Sequence, residues 1–132
     1  MTADTVRYPM DPLVEVFRRL LAPDGCPWDR EQTHETLKPY LMEEAQEVLD
    51  AIDEKDMAHL QEELGDVLMQ IVFHSALAET QGAFDINDVI AGITEKMIRR
   101  HPHVFGEEKA DTPEAVAALW QKIKTAEKKA ET

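Results

Sequence analysis

Between Asp56 and Gly82 the chain carries its most constraining stretch, a run that reads as one uninterrupted helix over Met57–Thr80. Leu60, Leu64, Val67, Leu68, Ile71, Val72, Ser75 and Leu77 recur on one broad face, and that width implies deep burial. At about 1.5 Å per residue such a helix is about 36 Å long, and a single helix cannot bury such a face by itself. Other helices must therefore lie against it. Asp56 supplies the N-cap and Gly82 the stop. Gly65 sits mid-helix at a cost of about 1 kcal/mol relative to alanine, which calls for close helix packing or for room beside its acidic neighbours.

The remaining elements follow the same periodicity. Asp11-Pro12 starts a helix carrying Leu13, Val16, Phe17, Leu20 and Leu21 inward, and Pro23–Asp29 breaks it with two prolines and a glycine. A second helix becomes regular around Thr36–Pro39 and runs to about Glu54, with Leu41, Ala45, Val48, Leu49 and Ile52 as its stripe. After Gly82, Asp85–Asp88 opens a helix with Val89, Ile90, Ile93, Met97 and Ile98 inward, ending near His101-Pro102. Residues 103–111 read as a loop, and Thr112-Pro113-Glu114 starts a last helix with Val116, Leu119, Trp120 and Ile123. No alternating strand pattern or internal repeat is present. The expectation is an all-α helical bundle of about five helices with a four-helix core. A loose N-terminal arm (1–10) precedes one domain (11–132).

Composition narrows the function classes. The chain of 132 residues carries 14 basic against 27 acidic residues, a net charge of −13, so a nucleic-acid polymer is not the expected partner. No apolar run is long enough to cross a bilayer and residues 1–10 lack a secretion-signal core, which makes the cytoplasm the simplest address. The single cysteine, Cys26, excludes an intramolecular disulfide and a zinc–thiolate cluster.

The charge is not spread evenly. Glu44 and Glu47 are three residues apart, as are Glu63 and Asp66, so each pair shares a face of its helix. Like charges at that spacing oppose helix formation by about 0.2–0.5 kcal/mol per pair. With Asp53–Asp56 as a short turn, the two helices become antiparallel neighbours and the four carboxylates converge. Oxygen-only ligands favour a hard cation such as Mg²⁺, whereas a solvated acidic face is the plain alternative. A di-iron bundle would need two Glu-x-x-His motifs, and only Glu31–His34 fits. His34, His59, His74, His101 and His103 form no metal-ligand spacing, and none is assigned.

The pattern EExxE followed by ExxD resembles the MazG family of all-α nucleoside triphosphate pyrophosphohydrolases. Cys26-Pro27-Trp28-Asp29 with Gln32-Thr33, Arg99–Phe105 and Trp120–Lys124 look like further signatures of that family, which together span about residues 13–124. The resemblance implies Mg²⁺-dependent hydrolysis of a (deoxy)nucleoside triphosphate to monophosphate and pyrophosphate, as house-cleaning of the nucleotide pool. Carried over by motif position, Glu44, Glu47, Glu63 and Asp66 are metal ligands, and Glu43 is a general base or an outer partner of the metal. Lys96, Arg99 and Arg100 match a phosphate-contacting cluster, and Trp120 and Lys124 match positions lining the nucleotide site. Gln46 departs from the family, which often has an aromatic residue there. The rival expectation is a catalytically idle helical module that binds metal, nucleotide or a partner. Broad apolar faces on a small bundle also predict a homodimer or higher assembly.

Overall fold

A computed structural model describes residues 9–131; most of the expected N-terminal arm lies outside the described residues. Seven helices and no strand occur among them: α1 (Asp11–Leu20), α2 (Pro27–Glu31), α3 (His34–Glu54), α4 (Met57–Thr80), α5 (Ile86–Arg99), α6 (Pro102–Phe105) and α7 (Pro113–Glu131). The all-α class is as expected. The chain divides into two compact units, one ending at Ile86 and the other starting at Asn87.

In the first unit α4 is the axis, with α3 packed along it and α1 against it. Helix α4 has the bounds its sequence dictates, with the Asp56 carboxylate accepting from the His59 backbone N–H at 3.1 Å. Gly82, at φ +72°, takes the left-handed conformation that closes the segment after it. Helix α3 begins two residues earlier than expected. Thr33 and Thr36 cap each other, each hydroxyl accepting from the other's backbone N–H, and this extends regular helix back to His34. Pro39 therefore lies inside the helix, not at its edge. Lys55, at φ +57°, ends α3 with its N–H on the Ala51 and Ile52 carbonyls, and the chain reverses within two residues.

Burial is narrower than the periodicity suggests. In α4 the C-terminal half is buried through Val72, Phe73, Ser75, Ala76, Leu77 and Ala78, while Leu64, Leu68 and Ile71 remain exposed. In α3 the buried residues are Leu37 and Ala51; Leu41, Leu49 and Ile52 of the expected stripe are exposed. Phe17 of α1 is buried and its ring meets Phe73 at 5.2 Å. A β-carbon at Gly65 would meet nothing within 4 Å, so close packing is not the reason for that glycine. Gly25 is different. A β-carbon there would lie 2.1 Å from the Leu20 carbonyl oxygen, because the chain folds tightly back over the end of α1.

Two short helices replace expected loops: α2 starts at Pro27, and α6 starts at Pro102. Each opens on a proline, whose fixed φ suits a first helical turn. In the second unit α7 begins as the cap signal requires, with Thr112 Oγ1 accepting from the Ala115 N–H at 3.1 Å. Ile90, Ile93, Met97 and Ile98 of α5, expected inward, are exposed.

Candidate metal and substrate site

The turn at Lys55 sets the register of the site. Glu47 and Glu63 lie eight residues either side of Lys55, and Glu44 and Asp66 lie eleven either side. In a helical hairpin such positions face each other, so both acidic pairs meet across the α3–α4 seam. Glu44, Glu47, Glu63 and Asp66 each place a carboxylate oxygen within 4.8 Å of the others.

The electrostatics of the group are those of crowded like charges. Glu63 is 7% exposed, and a proton shared with Glu47, then burial and the charges of Glu47 and Asp66, push its carboxyl up to about 7. Glu44 is also raised, first by burial and then by Asp66, Glu47 and Glu43. Glu44 Oε2 and Glu63 Oε2 are buried with no hydrogen-bond partner. Orphaned anionic oxygens of this kind are costly unless a cation meets them. Four oxygen donors with no sulfur fit a hard divalent ion such as Mg²⁺.

The histidines hold what spacing alone did not reveal. His59 Nδ1 lies 3.0 Å from Glu54 and its Nε2 lies 3.2 Å from Glu63 Oε1, linking one acid of the group to the end of α3. The bond to Glu54 raises the His59 imidazole. His34 and His74 stack with ring centres 5.0 Å apart and Nδ1 atoms at 2.8 Å, and burial pushes His74 down. The signal for His59 was present in sequence, four residues before Glu63 on one helix face. None existed for the His34–His74 pair, 40 residues apart.

Glu43 is exposed and stands outside the group of four, and Glu62 is likewise exposed. The other candidates belong to the second unit. Arg100 donates to Glu127 at 2.8 Å, Arg99 donates to Glu127 at 2.6 Å and also pairs with Glu95, and Glu127 is held down at about 2 by Arg100 and then Arg99. The Arg100 guanidinium lies 5.4 Å from the Trp120 ring centre, and Trp120 is also met edge-on by His101. Arg100 and Lys124, with Lys128, line a cavity of about 390 Å³ in this unit. Lys96 is exposed on α5 and is not among the residues lining that cavity.

Residues 32–105 match the family described as MazG nucleotide pyrophosphohydrolase domain. The chain is 54% identical over 116 residues to the Nucleoside triphosphate pyrophosphohydrolase/pyrophosphatase MazG of Thermotoga maritima, covering 88% of this chain and 44% of that protein. It is 48% identical over 120 residues to the Nucleoside triphosphate pyrophosphohydrolase of Escherichia coli K12, covering 90% of this chain and 46% of that protein. The chain thus spans less than half the length of these curated relatives. The crystal structure of a mazG-related protein from Thermotoga maritima superposes with a TM-score of 0.72 at 32% identity, covering 87% of this chain and 98% of that one. No helix among the described residues is long and apolar enough to cross a membrane.

Proposed function

The chain belongs to the MazG nucleotide pyrophosphohydrolase family, and from that premise we propose that it hydrolyses (deoxy)nucleoside triphosphates to monophosphate and pyrophosphate with Mg²⁺, clearing surplus or damaged nucleotides from the pool. The observation that carries this reading is the convergence of Glu44, Glu47, Glu63 and Asp66, two of whose buried oxygens have no protein partner. These four side chains would hold the metal. When bound there, Mg²⁺ supplies neutralisation of phosphate charge near the α-phosphorus and lowers the pKa of a water.

The protein's own groups complete the assignment. Glu43, next in chain to Glu44 and solvent-exposed, accepts a proton from the attacking water or supports the metal from outside the group of four. In the second unit Lys96, Arg99, Arg100 and Lys124 are the phosphate contacts, of which Arg100 and Lys124 already line a common cavity. The Arg100 fork is preorganised by Glu127 and by the Trp120 face. Trp120 flanks the nucleotide.

Incubation of the purified chain with single (d)NTPs and Mg²⁺ should release pyrophosphate and the matching monophosphate in equal amounts, read by anion-exchange chromatography. Orthophosphate with diphosphate would place the cleavage elsewhere. Metal binding without any product would make the chain an idle module instead.

The same reading includes self-association, supported by the exposed Leu49, Ile52 and Leu64 on the α3–α4 hairpin. Light scattering should give a dimer or a larger assembly of this chain, and a strict monomer across micromolar concentrations would refute that part.

A further inference from the structure

Of the four converging acids Glu63 is the most deeply set; Glu44, Glu47 and Asp66 are only half-buried. Its two oxygens differ in their surroundings. Oε1 lies 3.2 Å from His59 Nε2, within hydrogen-bond reach, while Oε2 is buried with no partner. The last torsion of a glutamate is soft and roughly two-fold, so nothing in the side chain itself decides which oxygen a cation would meet. A donor held on Oε1 makes that choice and leaves Oε2 for the ion.

His59 is well placed to act as that donor because it is itself held from two other sides. As the third residue of α4 it gives its backbone N–H to the Asp56 carboxylate at 3.1 Å, and its ring Nδ1 lies 3.0 Å from Glu54 Oε2. Glu63 follows four residues later on the same helix face, and side chains in a helix lean toward its N-terminus, which brings Glu63 back onto the ring. Glu54, Asp56 and His59 also converge, but both acids are exposed and each already engages His59, so the three form a support for the ring. His59 is not among the four converging ligands and reaches them only through Glu63. An exposed pair at this spacing would contribute little; here the carboxylate end is buried and is one of the four. We infer that His59 is a positioning residue for the metal, fixing the Glu63 carboxylate so that one oxygen is presented to the cation, an inference that rests on the metal-dependent reading above.

The test is metal affinity in the absence of nucleotide. Mn²⁺, a hard ion that suits the same oxygen donors, is titrated into the protein at pH 8 and the free ion is counted by electron paramagnetic resonance. Loss of an outer partner of a metal ligand weakens binding about ten- to a hundredfold, and His59→Leu should do so. His59→Asn, a polar replacement that keeps the first helical turn soluble, has an amide too short to reach Glu63 and should match the Leu variant. His59→Gln carries its N–H about as far as Nε2 and should return the dissociation constant to within about threefold of the parent value. Parental affinity in the Leu and Asn variants overturns the inference. So does tighter binding, which would make His59 a competitor of the metal for Glu63, and so do equal losses in all three, which would reduce its role to filling space. Weakened Mn²⁺ binding in a protein that turns over no triphosphate leaves the inference and removes the reaction. Product formed by a parent whose His59 variants all bind Mn²⁺ normally removes the inference and leaves the reaction. A parent protein that binds no Mn²⁺ overturns both.

Discussion

Glu63→Gln and Asp66→Asn should each lower Mg²⁺-dependent turnover by about a thousandfold or more, and Glu63→Gln should at the same time make the metal-free protein more resistant to heat at pH 8. The first effect follows from the donor set. Removing one anionic ligand from four weakens the hold on a cation asked to supply several kcal/mol of transition-state stabilisation, and about 4 kcal/mol is a thousandfold in rate. The second effect has the opposite sign because the acids repel one another without a cation. Glu63 is raised to about 7 in the folded protein from an ordinary value of 4.5, with the Glu47 hydrogen bond as the largest cause. A carboxyl raised by folding opposes the fold wherever it must ionise. The metal-free protein therefore gains stability as pH falls from 8 through about 7, and the gain levels off near 4.5, where the unfolded chain also takes up the proton. Thermal melts in EDTA at pH 5.5 and 8 measure this. The parent protein should melt higher at pH 5.5, the gap should narrow in Glu63→Gln, and equal gaps in both proteins would remove Glu63 as the source. Turnover surviving both amide substitutions would remove the site itself.

The convergence of the four carboxylates was legible in sequence because its geometry is local. A helical hairpin with a two-residue turn has one register, and acids placed symmetrically about Lys55 must meet; nothing distant is needed to bring Glu47 to Glu63. The bounds of α4 were legible for the same reason, since Asp56 and Gly82 act within a turn of themselves. The start of α3 was not, because Thr33 is followed at the third position by Thr36, not by the Glu or Gln that marks a capping box. Helices α2 and α6 have five and four residues, too few for any periodicity to register. Burial failed differently. The 3.6-residue period identifies a face but not what covers it, so Leu49, Ile52 and Leu64 read as core and are exposed. Gln70 is the converse: a polar residue among apolar ones, it gave no signal until Phe17, Leu37 and Phe73 closed around it. The meeting of His34 and His74 depended likewise on α3 folding back along α4.

Proton release is the expected companion of metal binding, and its pH dependence tests the group of four without reference to turnover. A Mg²⁺ ion requires ionised ligands, and at pH 6 Glu63, titrating near 7, is mostly protonated in the metal-free protein. Binding at pH 6 should therefore expel close to one proton per ion, and binding at pH 8 close to none. For a single proton of this pKa the apparent affinity rises about tenfold between those values. Calorimetric titration in buffers of different ionisation enthalpy measures the protons directly, and Glu63→Gln should abolish the pH-dependent part along with most of the affinity. The bound ion should also reverse the stability trend described for the metal-free protein. At a hundred times its dissociation constant a ligand selective for the folded state contributes about 2.7 kcal/mol. Saturating Mg²⁺ at pH 8 should then raise the melting temperature most where the acids are fully charged. A solvated acidic face, with each carboxylate at its ordinary value, would release no protons at pH 6 and show little stabilisation at any pH. One outcome depends on pH and the other does not, so one titration series decides between a metal centre and a charged surface.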